Sequence, residues 1–129
     1  MVLKAQEAGM AACKEGSTFG KLNEATRRVV NEGLAELSII KNASQPNLYY
    51  PHGCCHHIGL DVHDRGFTDK LEENMVLTIE PGIYIPEDSD CDPKWWGIAV
   101  RIEDDFLVKR DGSEMLSALA PRTTEAIEA

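Results

Sequence analysis

The apolar residues of this chain change their spacing part-way along. Up to Leu37 they recur every three or four positions, and from Met75 onward they alternate or cluster as strands do. "LKAQEAGMAACKEG" predicts a first helix that stops near Gly16. "STFGKLNEATRRVVNEGLAEL" predicts a second, N-capped by Ser17 or Thr18 and carrying a stripe of Phe19, Leu22, Ala25, Val29 (or Val30) and Leu34. The turn-forming "NASQPN" closes this half. "MVLTIEPGIYI" is then rich in β-branched residues and is broken at Pro81-Gly82, and "GIAVRIEDDFLV" reads as one further alternating run. "KRDGSE" predicts a hairpin turn through Asp111-Gly112, and "SALAPRTTEAIEA" a short loop with a terminal helical turn. Helices followed by a mostly antiparallel sheet make an α+β order. No repeat or internal boundary interrupts it, so residues 1–129 read as a single domain.

Charge narrows the partners. The net charge of −9 is uneven: residues 1–50 carry 6 basic and 5 acidic groups, residues 51–129 carry 7 basic and 17 acidic. Phosphate backbones reward clustered Lys and Arg, so this balance argues against nucleic acid. No apolar run approaches the roughly 20 residues of a spanning helix, and the charged opening "MVLKAQEAGMAACKEG" lacks the apolar core of a signal peptide. The expectation is a cytoplasmic protein without a membrane partner. Cys13, Cys54, Cys55 and Cys91 include no Cys-x-x-Cys pair and read as free thiols.

"PHGCCHHIGLDVH" holds all four histidines and two of the four cysteines. Four consecutive ligand types, Cys54, Cys55, His56 and His57, cannot all turn inward on one tetrahedral ion. In an extended strand Cys54 and His56 share one face, and Cys55 and His57 the other. Structural zinc sites draw their pairs from separate segments, which disfavours a self-contained zinc knot here.

Carboxylates change the picture. Glu80 stands inside "VLTIEPGIYI" and Glu103 inside "IAVRIEDDF", where burial is costly unless something positive pairs with them. One reading of Glu103 is an ion pair with Arg101 or simple exposure; the other is a metal shared with Glu80 and a histidine. A mixed imidazole and carboxylate set suits Mn²⁺, Co²⁺, Fe²⁺ or Zn²⁺. The chemistry it serves is metal-assisted hydrolysis, with a carboxylate taking a proton from water.

"HGCCHHIGLDVHD", "VLTIEPGIYI" and "VRIEDD" resemble, in order, the three C-terminal signatures of the pita-bread metallopeptidases, in the Xaa-Pro aminopeptidase (aminopeptidase P) and prolidase branch. The resemblance runs from "VLKAQEAG" to "APRTTEAIEA", and "YIPEDSDCDPKWWGIAVRIEDD" is closer to the bacterial type of aminopeptidase P. It implies a partial pita-bread fold, the C-terminal portion of a catalytic domain. It further implies that His56 binds metal, that Glu80 binds metal and handles the proton of the attacking water, and that Glu103 bridges two metals. His52 and His63 match histidines that contact substrate and stabilise the tetrahedral intermediate, and Arg101 matches a supporting arginine. The implied reaction removes the N-terminal residue of a peptide whose second residue is proline, usually with two Mn²⁺ ions.

One departure stands beside these matches. The family centre also uses two aspartates from strands that precede the first helix, whereas no Asp occurs here before Asp61. Three of five ligands remain (His56, Glu80 and Glu103), and the expectation is impaired activity for the chain alone. An open sheet edge is then expected to be covered by a preceding segment or by a homo-oligomer partner. Three readings result: the C-terminal part of an Xaa-Pro aminopeptidase, an enzyme completed by another chain, and a non-catalytic peptide-binding module. Prolidase activity fits the same fold. Cys54 and Cys55 occupy positions of small residues in the family, and His57 is given no chemical role.

Overall fold

A computed structural model describes residues 1–66 and 68–129. Helix α1 (Val2–Ala12) and helix α2 (Phe19–Glu36) pack on each other, and α1 also packs on the strands. On α1 the buried positions are Val2, Ala5, Gln6 and Gly9, the spacing of one helical face. Gly16, at φ +81°, turns the chain between the helices in a conformation that suits glycine. Of the two candidate caps it is Thr18 whose hydroxyl accepts from the Lys21 N–H at 3.2 Å.

The stripe of α2 differs in part from expectation. Leu22, Thr26, Val30 and Leu34 are the buried residues, at strict four-residue spacing, while Phe19, Ala25 and Val29 are only half-buried. Thr26 goes unrecognised by its polarity. Its hydroxyl donates to the Asn23 carbonyl at 3.1 Å and lies 3.3 Å from the buried Tyr50 hydroxyl, so it enters the core with its hydrogen bonds made.

The strand half forms two antiparallel sheets. Strands β1 (Val76–Ile79), β4 (Asp104–Lys109) and β5 (Gly112–Met115) run in the order β1-β4-β5, and β2 (Gly82–Tyr84) pairs with β3 (Ala99–Arg101). The single run expected over "GIAVRIEDDFLV" is therefore two strands in two sheets. Pro81 cannot donate to a ladder, and the break it makes after β1 is answered by the gap at Ile102 and Glu103. The β4–β5 hairpin also turns one residue earlier than expected. Lys109 pairs with Gly112, so the two-residue loop is Arg110-Asp111 and Gly112 already belongs to β5.

Buried Phe106 and Val108 from β4 meet Leu77 and Ile79 from β1 beneath the helices, in one core with Leu22, Val30, Leu34 and Tyr50. The chain ends in a short exposed helix, α3 (Thr124–Glu128), as expected. Among the described residues no helix is long and apolar enough to cross a membrane.

Candidate metal centre

The interrupted ladder builds the site. Ile79 pairs with Asp104 and Gly82 with Arg101, so both sheets share one register. Glu80 therefore falls opposite Glu103 at the bend between the sheets. Directly opposed residues of antiparallel strands project to the same side, where two carboxylates repel unless a cation lies between them.

The histidine arrives from the other side of β1. Residues 54–58 run alongside that strand as an irregular edge. The Glu80 N–H donates to the Cys54 carbonyl at 2.7 Å, the Thr78 N–H to the His56 carbonyl at 2.9 Å, and the Ile58 N–H to the Val76 carbonyl at 3.1 Å. This places His56 Nε2 3.2 Å from Glu80 Oε1. One ligand atom from each of His56, Glu80 and Glu103 lies within 4.8 Å of the others. An imidazole nitrogen and two carboxylates in that space fit a divalent first-row cation.

Neighbouring groups fix the three side chains. The His56 Nδ1 lies 2.9 Å from the His57 carbonyl, which favours a proton on that nitrogen and leaves Nε2 free to accept or ligate. Thr78, two residues before Glu80 and so on the same face of β1, donates its hydroxyl to Glu80 Oε1 at 3.2 Å. Thr78 Oγ1 in turn accepts the His56 N–H at 3.1 Å. Arg101 Nε sits 3.9 Å from both Glu80 Oε2 and Glu103 Oε2. The ion-pair reading of Glu103 and the metal reading thus share one arrangement. At such distances, with the arginine side chain half exposed, the pairing contributes about 0–1 kcal/mol.

The remaining histidines divide. The ring of His63 stands edge-on to that of His56, with centroids 4.4 Å apart, and is exposed. His52 lies farther along, against β2: its Nε2 is 3.0 Å from the Tyr84 hydroxyl and its Nδ1 2.7 Å from the Gly53 carbonyl. Arg27 holds that segment from α2, donating to the Tyr50 carbonyl at 2.9 Å and the His52 carbonyl at 3.2 Å. His57 packs edge-on to Phe19, with ring centroids 4.7 Å apart.

Sequence reading passed over Thr78, Tyr84 and Gln6. Thr78 had a signal, the two-residue spacing from Glu80. Tyr84 and Gln6 had none, because their partners are 32 and up to 98 residues away. The expected alternation at Cys54 and Cys55 also fails: their sulfurs share a hydrogen bond at 3.5 Å, so the segment is not a regular strand at this point. That shared bond holds the Cys54 thiol down and, with burial, pushes the Cys55 thiol up.

Comparison with known proteins agrees with this geometry. Residues 1–110 match metallopeptidase family M24. The Xaa-Pro aminopeptidase of Haemophilus influenzae is 39% identical over 140 residues, covering 99% of this chain and 33% of that protein. The mitochondrial intermediate cleaving peptidase 55 of Arabidopsis thaliana is 34% identical over 131 residues, covering 99% of this chain and 27% of that protein. The chain thus spans about a quarter to a third of the length of these relatives. Among solved structures, an aminopeptidase of Pseudomonas aeruginosa superposes with a TM-score of 0.88 at 36% identity, over 98% of this chain and 32% of that one. By the family match, and with helices packed on antiparallel strands as a partial pita-bread fold, the chain belongs to metallopeptidase family M24.

Proposed function

We propose that this chain is the C-terminal portion of the catalytic domain of an Xaa-Pro aminopeptidase, acting on peptides with proline at the second position. The observation that carries the reading is the convergence of His56, Glu80 and Glu103 on one small space, from three segments of a family M24 chain. Members of a metallopeptidase family use a divalent metal. His56, Glu80 and Glu103 would hold it, with Mn²⁺ as the proposed ion, two per complete site, and Zn²⁺, Co²⁺ or Fe²⁺ as substitutes of similar ligand preference. When bound, the metal lowers the pKa of water and polarises the scissile carbonyl.

The chain's own residues do the rest. Glu80 is largely buried, and its Oε1 is anchored by the Thr78 hydroxyl. It therefore meets an incoming proton in a fixed position and can accept it from the attacking water. His63 beside His56 would supply a donor for the carbonyl oxygen as it gains charge, and His52 would do so once its Nε2 exchanges the Tyr84 hydroxyl for the substrate. Arg101 balances the paired carboxylates.

The fold suggests what completes the site. Among the described residues β3 pairs only with β2, and all three of its residues are exposed. An unpaired edge of this kind favours a covering segment of chain or a second copy. The four free thiols suit a reducing compartment, proposed to be the cytoplasm.

Incubating the purified chain with Mn²⁺ and an Xaa-Pro peptide tests the reading. With three of five ligands, hydrolysis is expected to be weak or absent, and Mn²⁺ binding to disappear in His56→Ala. Robust release of the N-terminal residue by this chain alone would overturn the impaired-activity reading. Unchanged Mn²⁺ binding in His56→Ala would overturn the ligand assignment.

A further inference from the structure

Cys54 and Cys55 are consecutive, yet their sulfurs lie 3.5 Å apart. Regular strand geometry would send the two side chains to opposite faces, so the backbone must turn to bring them together. It is held in that turn from several sides. The Cys54 N–H donates to Asn23 Oδ1 at 2.7 Å, the Cys54 carbonyl accepts the Glu80 N–H at 2.7 Å, and the His56 N–H is bound by Thr78 Oγ1 at 3.1 Å. The two sulfurs are therefore positioned before anything binds them. Cys54 is buried and Cys55 is partly exposed, which gives the pair an approach from the Cys55 side.

Two kinds of chemistry use paired thiols at this distance. A disulfide needs α-carbons usually about 4.4–6.8 Å apart, whereas neighbours across a trans peptide are about 3.8 Å apart, so a Cys54–Cys55 disulfide is strained. Chelation has no such conflict. Two bonds from sulfur to a soft centre, each about 2.3 Å and opening at about 100°, span about 3.5 Å. Thiolate ligands also select soft centres over the hard and borderline ions that suit imidazole and carboxylate.

We propose that Cys54 and Cys55 form a two-thiol chelating site for a soft thiophilic centre, of the class of the trivalent arsenicals. With phenylarsine oxide the step balances without redox change. Two arsenic–sulfur bonds form, both S–H bonds break, and the oxide oxygen leaves as water carrying the two thiol protons. The site is separate in its ligands from the His56, Glu80 and Glu103 centre, and does not depend on the function proposed for that centre.

Native mass spectrometry of the reduced chain with phenylarsine oxide tests this, with a small dithiol as competitor to rank affinities. One adduct per chain is expected. Cys55→Ser, which leaves a single thiol, should lower affinity by about 100-fold or more through loss of the chelate advantage. Cys54→Ser should do the same, while the double variant Cys13→Ser/Cys91→Ser should bind as the parent does. Absence of an adduct on the parent chain would overturn the proposal, as would undiminished binding by Cys55→Ser or loss confined to the Cys13/Cys91 variant. A parent chain isolated with a Cys54–Cys55 disulfide that resists mild reductant would also overturn it. Should Cys54→Ser fail to fold, the partly exposed Cys55 position decides alone.

Discussion

Single side chains decide how the centre is held. Thr78 is the clearest case, because one hydroxyl donates to Glu80 and accepts from the His56 backbone. Thr78→Val keeps the shape and removes both bonds. It should weaken Mn²⁺ binding about 10- to 100-fold, the range for groups that orient metal ligands. Paramagnetic broadening of the His56 ring signals reads this out. The same variant should lose about 1–2 kcal/mol in urea melts, because the buried partners lose their bonds. Cys13 makes a second prediction at this scale. Burial pushes its thiol up from the ordinary 9.0 to about 11, only partly offset by the neighbouring Ser113 hydroxyl. Below pH 9 both folded and unfolded chains keep that proton. Between about pH 9 and 11 the unfolded chain loses it and the folded chain does not, so stability falls as pH rises, by roughly 2–3 kcal/mol. Cys13→Ala should flatten that part of the stability–pH curve. The alkaline loss that remains belongs in part to Tyr50, whose hydroxyl is also pushed up by burial.

Between elements, the decisive contact is the seat of α1 on β1. A β-carbon added at Gly9 would lie 2.8 Å from Ile79 Cγ2 and 2.9 Å from Thr26 Cγ2. These neighbours come from β1 and α2, and both residues are fully buried. Gly9→Ala gains up to about 1 kcal/mol of helix propensity, but overpacking such a site costs about 1–3 kcal/mol. The variant should therefore be less stable than the parent, by about 1 kcal/mol in urea melts; a rise in stability would contradict the close packing. Two of these readings were legible in the sequence only by halves. The helices, the break at Pro81 and the strand character of the second half followed from local chemistry. The burial of Thr26 and the split of "GIAVRIEDDFLV" between two sheets did not, since each depends on a partner from another element.

Across the whole molecule, one amide ties the ends of the chain to the site. The buried Gln6 side chain on α1 donates to the Ile79 carbonyl at 3.2 Å and to Asp104 Oδ2 at 2.9 Å. Those residues flank Glu80 and Glu103 in sequence. Asp104, itself buried, also accepts from Ser117 at 2.6 Å and lies 3.5 Å from Arg122. A single network thus runs from residue 6 to residue 122, fixing the bend where the two carboxylates face each other. Gln6→Leu should cost about 1–3 kcal/mol by leaving the Ile79 carbonyl and the Asp104 carboxylate short of a donor. A double-mutant cycle with Asp104→Asn should show coupling of about 0.5–3 kcal/mol, whereas additive losses would mean that the two side chains act independently.

By itself the sequence determined the order of helices and strands, the place where the first strand breaks, and the small set of His and Glu residues from which a centre could be built. Those features are written locally, in periodicity, in proline chemistry and in the cost of placing a carboxylate among apolar neighbours. The motif resemblance singled out His56, Glu80 and Glu103 from that set, but how His56 meets Glu80 and how Glu80 comes to face Glu103 was decided only by the tertiary structure. The physical reason is register: the edge segment at residues 54–58 and the shared pairing frame of the two sheets bring together residues 23 or more positions apart, and no local pattern encodes that alignment. The same holds for Cys54 and Cys55. As neighbours in a strand they should point apart, and only the hydrogen bonds to Asn23, Glu80 and Thr78 turn their sulfurs toward each other.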